Sequence, residues 1–86
     1  MTAITVSELA PGDVIESFRR RAVVIAVTNH PIWTSCRLVV WRLEDGMWSF
    51  DALDPRQEVG KAVDHDPEAL RWGLGMQTQR PLWASA

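Results

Sequence analysis

The chain has 86 residues, 47% of them apolar, which suits a single globular domain and is well above the apolar content of disordered chains. Nine basic and eleven acidic side chains give a net charge of −2. This argues against duplex DNA as the main partner, because non-specific phosphate binding needs a basic surface. The single cysteine, Cys36, excludes an intramolecular disulfide and a zinc site built from cysteines.

Turn-forming residues recur about every ten positions, beginning with Pro11-Gly12-Asp13, and the segments between them are rich in Val, Ile, Leu and Trp. This spacing is typical of a mainly β sandwich or barrel. We predict a first strand over residues 13–18 and a second over residues 22–28, joined by a turn of three arginines.

A short helix from Asp13 toward Arg21 is the alternative for the first of these strands, because Asp13 followed by Glu16 resembles a capping box. The β-branched pair Val14-Ile15 directly after Pro11-Gly12 favours the strand.

Asp45-Gly46 predicts a β-hairpin over residues 36–53, because this dipeptide suits a two-residue type I′ turn. A two-residue loop fixes the cross-strand pairs as Glu44 with Met47, Leu43 with Trp48, Trp41 with Phe50, Val39 with Ala52 and Arg37 with Asp54. On this register both tryptophans and Phe50 share one apolar face, which we expect to be buried.

A final strand is predicted over residues 57–63, followed by a short helix over residues 66–72. Asp66 would be its N-cap, Pro67 its first residue and Gly73 its end. Residues 73–86 contain two Gly and a Pro and are predicted to form an extended C-terminal arm. The expected organisation is therefore a domain over residues 1–72, mainly β with five strands in a small barrel, followed by this arm.

Three features together resemble small SH3-like β-barrel proteins of unknown function from actinobacteria and their phages. They are the Pro11-Gly12-Asp13 opening, the strand over residues 23–27 and the hairpin over residues 36–52. The resemblance covers roughly residues 6–63 and implies an SH3-like barrel. Because such barrels bind peptides, nucleic acids and metals alike, the resemblance does not imply one function.

Three sets of residues were considered as sites of chemistry. Cys36 with His30 or His65 could form a thiol–base pair, but apart from the neighbouring Arg37 nothing in the sequence favours a reactive thiol, so a structural role is favoured. The run over residues 64–66 holds three potential metal ligands that alternate in direction along an extended chain, which favours a polar turn. Asp51 and Asp54 could act as paired carboxylates, but the register places Asp54 beside Arg37. We therefore expect no enzymatic activity, no metal and no cofactor.

The remaining indication of function is a set of aromatic and basic side chains outside the predicted core. Tryptophan and arginine are enriched in protein-binding hot spots, and they also suit single-stranded nucleic acid. The expected partner-binding residues are Arg19, Arg20, Arg21, His30, Trp33, Trp72 and Trp83. Trp33 and Trp72 could instead cap the ends of the barrel core.

These side chains predict a non-catalytic binding or adaptor module that recognises a protein partner. The alternatives are a single-stranded nucleic-acid binder and a subunit that self-assembles through its C-terminal arm. The first residues lack the basic start and apolar run of a signal peptide, and no apolar run is long enough to cross a bilayer. We therefore expect a cytoplasmic protein with no membrane partner.

Overall fold

The computed structural model describes residues 2–17, 20–63 and 66–76, which form one antiparallel sheet and one short helix. The strands are β1 (Thr2–Thr5), β2 (Val14–Ser17), β3 (Arg20–Asn29), β4 (Arg37–Leu43), β5 (Trp48–Leu53) and β6 (Glu58–Val63). They lie in the order β1-β6-β2-β3-β4-β5, a 3₁₀ turn (Val6–Glu8) follows β1, and helix α1 (Pro67–Gly73) follows β6. The predicted mainly β fold with a short helix is confirmed, and residues 14–17 form a strand. The five-strand count was too low, because β1 adds to the edge of β6.

The sheet curls because of the short connection between β5 and β6. Only residues 54–57 join these strands, although β2, β3 and β4 lie between them in the sheet. In a flat sheet four strand spacings would separate them by about 19 Å. The Gln57 amide donates to the Asp54 carbonyl at 3.0 Å, so the connection is a tight turn that keeps the strand ends closer than this. The end strands β1 and β5 do not pair in the described part of the chain, so the curled sheet is not a closed barrel.

The concave face of the curled sheet carries the main core. Its buried side chains are small or branched: Val6, Leu9, Ile15, Ala22, Val24 and Val39. A bulge in β3 helps to form this core, since Val24 pairs with Trp41 and Ala26 with Val40, leaving Ile25 as an extra residue. Beyond the bulge Val27 packs against the main core together with Val24, whereas strict alternation would place these two residues on opposite faces.

The Pro11-Gly12 turn leads the chain into β2 and brings a carboxylate into the interior. The Asp13 amide donates to the Ala10 carbonyl at 3.1 Å, and Gly12 has a φ of 96°, which glycine adopts at little cost. The Asp13 side chain is buried, accepts from the Ala10 amide at 2.9 Å and lies 3.6 Å from the ammonium group of Lys61. Asp13 therefore has a structural role at the start of the sheet.

Helix α1 covers one half of the convex face and begins as predicted. The Asp66 side chain accepts from the Glu68 amide at 3.0 Å, and Pro67 is the first helical residue. Buried Ala69 and Trp72 pack against Val14 and Val23 and form a second, smaller core. The sheet is thus covered on its convex side where β2 and β3 lie.

Helix α1 ends at Gly73, as predicted, and Gly75 is the glycine of its C-terminal capping motif. Gly75 has a φ of 77°, its amide donates to the Trp72 carbonyl, and the Met76 amide donates to the Arg71 carbonyl. These two bonds define a Schellman motif. A Cβ at Gly73 would lie 2.5 Å from Ile25 Cδ1 and 2.8 Å from Val23 Cγ1, so this glycine allows the helix to approach the sheet closely.

The hairpin between β4 and β5 has a different register from the predicted one. The Leu43 amide donates to the Met47 carbonyl at 2.7 Å, and the Gly46 amide donates to the Leu43 carbonyl at 2.8 Å. The loop therefore has three residues, with Gly46 at a φ of 92°, as in a type I turn followed by a bulge.

One extra loop residue moves β5 by one position and reverses its faces. Trp41 pairs with Ser49, and the other new pairs are Arg42 with Trp48, Val40 with Phe50, and Arg37 with Leu53. The prediction that Trp48 and Phe50 are buried was wrong, since they are 53% and 72% exposed. Trp41 does pack against the main core, where it is half-buried.

Candidate partner-binding surface

The convex side of β4 and β5 is an apolar surface that α1 does not cover. Because Val40 pairs with Phe50 and Arg42 with Trp48, these four side chains share one face, which we call the aromatic face. Trp48 and Phe50 are the exposed members and lie two residues apart on β5. Neighbouring exposed aromatic side chains are unusual on a soluble domain and are a common property of binding surfaces.

Arg42 connects the aromatic face to the helix. Its guanidinium carbon lies 5.1 Å from the centre of the Trp48 ring and 5.3 Å from that of Trp72, within the range of a cation–π contact on both sides. Its Nε donates to the Gly46 carbonyl at 3.1 Å, and its Nη1 donates to the carbonyls of Trp72 and Gly73 at 3.3 and 3.1 Å. These contacts fix the Arg42 guanidinium, which lies against the exposed indole of Trp48.

The second feature lies on the concave side of the sheet, between β5 and β6. It is a cavity of about 530 Å³, which we call the trough. Its apolar lining comes from the sheet interior and consists of Ile15, Ala22, Trp41, Leu43, Leu53 and Val59. Glu16, Asp51 and Glu58 contribute carboxylates to its lining, and Arg20 contributes a guanidinium. Its volume is within the range of small-ligand and side-chain pockets.

The described arginines of the predicted basic patch are engaged by carboxylates at one end of the sheet. Arg20 Nη1 lies 3.8 Å from Asp45 Oδ2, and Arg21 Nε donates to Glu16 Oε2 at 3.3 Å. Arg19 and Trp83 are outside the described residues. The two described arginines therefore have carboxylate neighbours that offset their charge.

His30 and Trp33 lie together in the loop between β3 and β4. Their rings stack with centres 4.8 Å apart, and His30 Nδ1 accepts from the amides of Ile32 and Trp33 at 3.1 and 3.0 Å. Trp33 is 61% exposed. Since the ten residues of β3 span about 30 Å, this loop and Arg20 lie at opposite ends of the strand. The structure therefore does not combine Trp33 with the arginines in one surface.

Trp72 is the predicted site residue that the structure places in the interior. It is only 7% exposed and packs the helix onto the sheet. This agrees with the alternative that Trp72 covers the core. The residues that sequence reasoning missed are Arg42, Trp48 and Phe50. The sequence signal that could have found them is Asp45-Gly46, since a glycine at positive φ also suits a three-residue loop.

Two of the residues considered for chemistry, Cys36 and Asp54, make structural contacts in the described part of the chain. The Cys36 amide donates to the Trp33 carbonyl at 2.8 Å, and its carbonyl accepts from the His30 amide at 3.1 Å. Asp54 lies beside Arg56 instead of Arg37, and the hydrogen bond from the Arg56 side chain, with a second from its amide, lowers the pKa of the Asp54 carboxyl. Arg37 bonds to Asn29.

No cluster of three or more potential metal ligands occurs in residues 2–17, 20–63 and 66–76. Asp64 and His65, the first two residues of the run considered as metal ligands, fall outside these ranges. Within the same ranges no helix is long and apolar enough to cross a membrane.

The chain was compared with known protein families, curated proteins and solved structures. No family model, curated protein or solved structure matches the chain.

Proposed function

We propose that the protein is a non-catalytic binding module that recognises a protein partner through the aromatic face. The observation that carries this proposal is the exposure of Trp48 and Phe50 beside Arg42, which is itself fixed by five contacts to the hairpin and helix. Tryptophan and arginine dominate binding hot spots, and a fixed side chain loses little conformational entropy when a partner binds.

The chemistry of the face supports a protein partner more than a nucleic acid. Arg42 is the one charged member of the aromatic face as defined, and its guanidinium is already stacked and hydrogen-bonded. A nucleic-acid surface would need several cations available to phosphate groups. The apolar side chains of the face instead suit a partner that buries its own apolar surface against them.

The curled sheet supports a distant relationship to SH3-like barrels through its four-strand meander β2-β3-β4-β5 and the tight turn after β5. A cytoplasmic location and self-association through residues 73–86 stay predictions.

A photo-crosslinking experiment tests the proposal. A benzophenone amino acid replaces Phe50 in one version of the protein and Ile32, which is also exposed, in a matched control. We expect a protein from the lysate of the encoding organism to be crosslinked from position 50 and not from position 32. The crosslink should disappear when Trp48→Ser is added. Equal labelling from both positions would contradict the proposal.

A further inference from the structure

The outer edge of β5 carries backbone groups that no other strand of the described residues pairs with. The Leu43 amide bonds to the Met47 carbonyl, and hydrogen-bonded pairs recur at every second position of an antiparallel ladder. Residues 49, 51 and 53 therefore direct their backbone groups toward β4, and Trp48, Phe50 and Ala52 direct theirs outward. Among the described residues no strand pairs with this edge.

This edge also lies between two apolar surfaces. On the convex side are the side chains of Trp48 and Phe50, and on the concave side is the trough, which Ser49, Asp51 and Leu53 of β5 help to line. The tight turn over residues 54–57 closes the gap between β5 and β6 at the Leu53 end, so the gap is widest where β5 begins. A free apolar edge of this kind promotes pairing with another chain unless it is covered.

We propose that the free edge of β5 accepts an extended segment of the protein partner as a seventh strand. This inference rests on the proposed function and specifies how the partner is held. Main-chain hydrogen bonds to Trp48, Phe50 and Ala52 would supply affinity, as in other cases of strand addition. Alternate side chains of the segment would lie beside the aromatic face and over the trough.

The two surfaces define the chemistry of the segment. Both sets of its alternating side chains meet apolar groups, so the segment needs a continuous apolar run of about five residues. Four charged side chains line the trough: Glu16, Arg20, Asp51 and Glu58. Glu16 and Arg20 are paired with Arg21 and Asp45, whereas Asp51 and Glu58 have no ion-pair partner among the described residues, so the unpaired charge is negative. A lysine or arginine within or beside the apolar run is therefore favoured over an acidic residue.

A second copy of β5 fits this description less well. Its convex-side residues Trp48, Phe50 and Ala52 are apolar, but the alternate positions hold Ser49 and Asp51. Pairing two copies with Phe50 opposite Phe50 would bring these polar side chains over the apolar trough. Sliding one copy by two residues relative to the other would place Asp51 opposite Asp51. Two carboxylates directly opposite each other are unfavourable.

The test uses a phage-displayed library of random nine-residue peptides selected on the full chain. We expect enriched peptides with an apolar run and at least one basic residue. The best peptide is then synthesised with each backbone amide N-methylated in turn. Methylation at alternate positions should weaken binding at least tenfold and at the intervening positions less than twofold, because only every second amide of an edge strand faces β5.

Protein variants locate the peptide. Phe50→Lys should weaken binding at least tenfold, and Trp33→Lys, a change at another exposed aromatic residue, should leave it unchanged. A uniform response to methylation would overturn strand addition while leaving the proposed function intact, provided that crosslinking from position 50 persists. A library with no enriched peptide would also overturn it.

Two further results would identify a different occupant and overturn the inference. One is a dimer of the free protein that the peptide dissociates, which would assign the edge to a second copy. The other is a chain shortened to residues 1–76 that binds the peptide at least tenfold more tightly than the full chain, which would assign the edge to the protein's own C-terminal residues.

Discussion

The convex face of the sheet has two halves that differ in solvent exposure. Over β2 and β3 it is covered by α1, and Trp72 is 7% exposed; over β4 and β5 it is bare, and Trp48 is 53% exposed. The two indoles contact the same guanidinium, that of Arg42. Similar side chains in adjacent positions thus have different environments, one packed in the core and one exposed on the proposed partner-binding surface.

The length of the helix explains the difference. Seven residues of α-helix extend about 10 Å, which is about two strand spacings. A helix of this length packed on β3 reaches Arg42 of β4 but leaves Trp48 and Phe50 of β5 exposed. Comparing substitutions in the two halves therefore separates contributions to stability from contributions to binding.

The largest expected effect is that of Trp72→Ala. Removing this buried indole leaves a cavity between α1 and the sheet and should lower the free energy of unfolding by about 3–5 kcal/mol. Trp48→Ala, the matched change in the bare half, should cost less than about 1 kcal/mol. Urea unfolding of both variants measures this. Equal losses would show that the bare half also belongs to the core.

Arg42→Met should have the next largest effect, because Arg42 joins the two halves. The change keeps an apolar stem but removes bonds to three carbonyls and the contact with both indoles, so we expect a loss of about 2 kcal/mol. A double-mutant cycle with Trp48→Ala should give a coupling energy of about 0.5–1 kcal/mol. A coupling energy of zero would mean that Arg42 does not hold Trp48 in place.

Gly73→Ala tests the close contact between α1 and β3. Alanine gains up to about 1 kcal/mol in helix propensity, whereas overpacking costs about 1–3 kcal/mol. We expect the cost to exceed the gain, because the Cβ would lie 2.8 Å from a methyl group of Val23, a stiff and fully buried side chain. The expected net loss is about 1 kcal/mol in urea unfolding. Leu74→Ala, at an exposed position beside it, is the control, and a stabilised Gly73→Ala would contradict this account.

The sequence predicted the covered half of the convex face better than the bare half. Asp66 and Pro67 mark the helix start through local chemistry, and the strand positions follow from runs of apolar residues. The hairpin register depended on whether the loop before Gly46 has two residues or three, and a glycine at positive φ suits both. Because one residue reverses the faces of a strand, this single ambiguity concealed the candidate site.

Other features that the sequence did not indicate have the same origin in tertiary contacts. Gly73 ends the helix as predicted, but its close contact with Val23 and Ile25 depends on how the helix packs on the sheet. Strand β1 (Thr2–Thr5) is four residues long and polar at both ends, so pairing with β6 defines it more than its own sequence does. The bulge at Ile25 likewise follows from strand pairing.

The smallest expected effect lies outside both halves, in the exposed turn between β5 and β6. Arg56 lowers the pKa of Asp54 below its usual 3.8 through its side chain, its backbone amide and its charge. A lowered carboxyl pKa stabilises the fold above the unfolded pKa, and this contribution disappears as the pH falls through the folded pKa. Arg56→Ala should raise the pKa of Asp54 toward 3.8, but not fully, since the amide of residue 56 still donates to Oδ1.

A carboxyl NMR titration of both proteins measures this shift. The unfolding free energies should differ little at pH 7, because exposed ion pairs contribute little, and the difference should vanish in acid below pH 3.8. The loss of unfolding free energy in Arg56→Ala shows how much one exposed contact contributes, and the loss in Trp48→Ala is compared with it. An unchanged Asp54 pKa in Arg56→Ala would mean that the turn is held by its backbone alone.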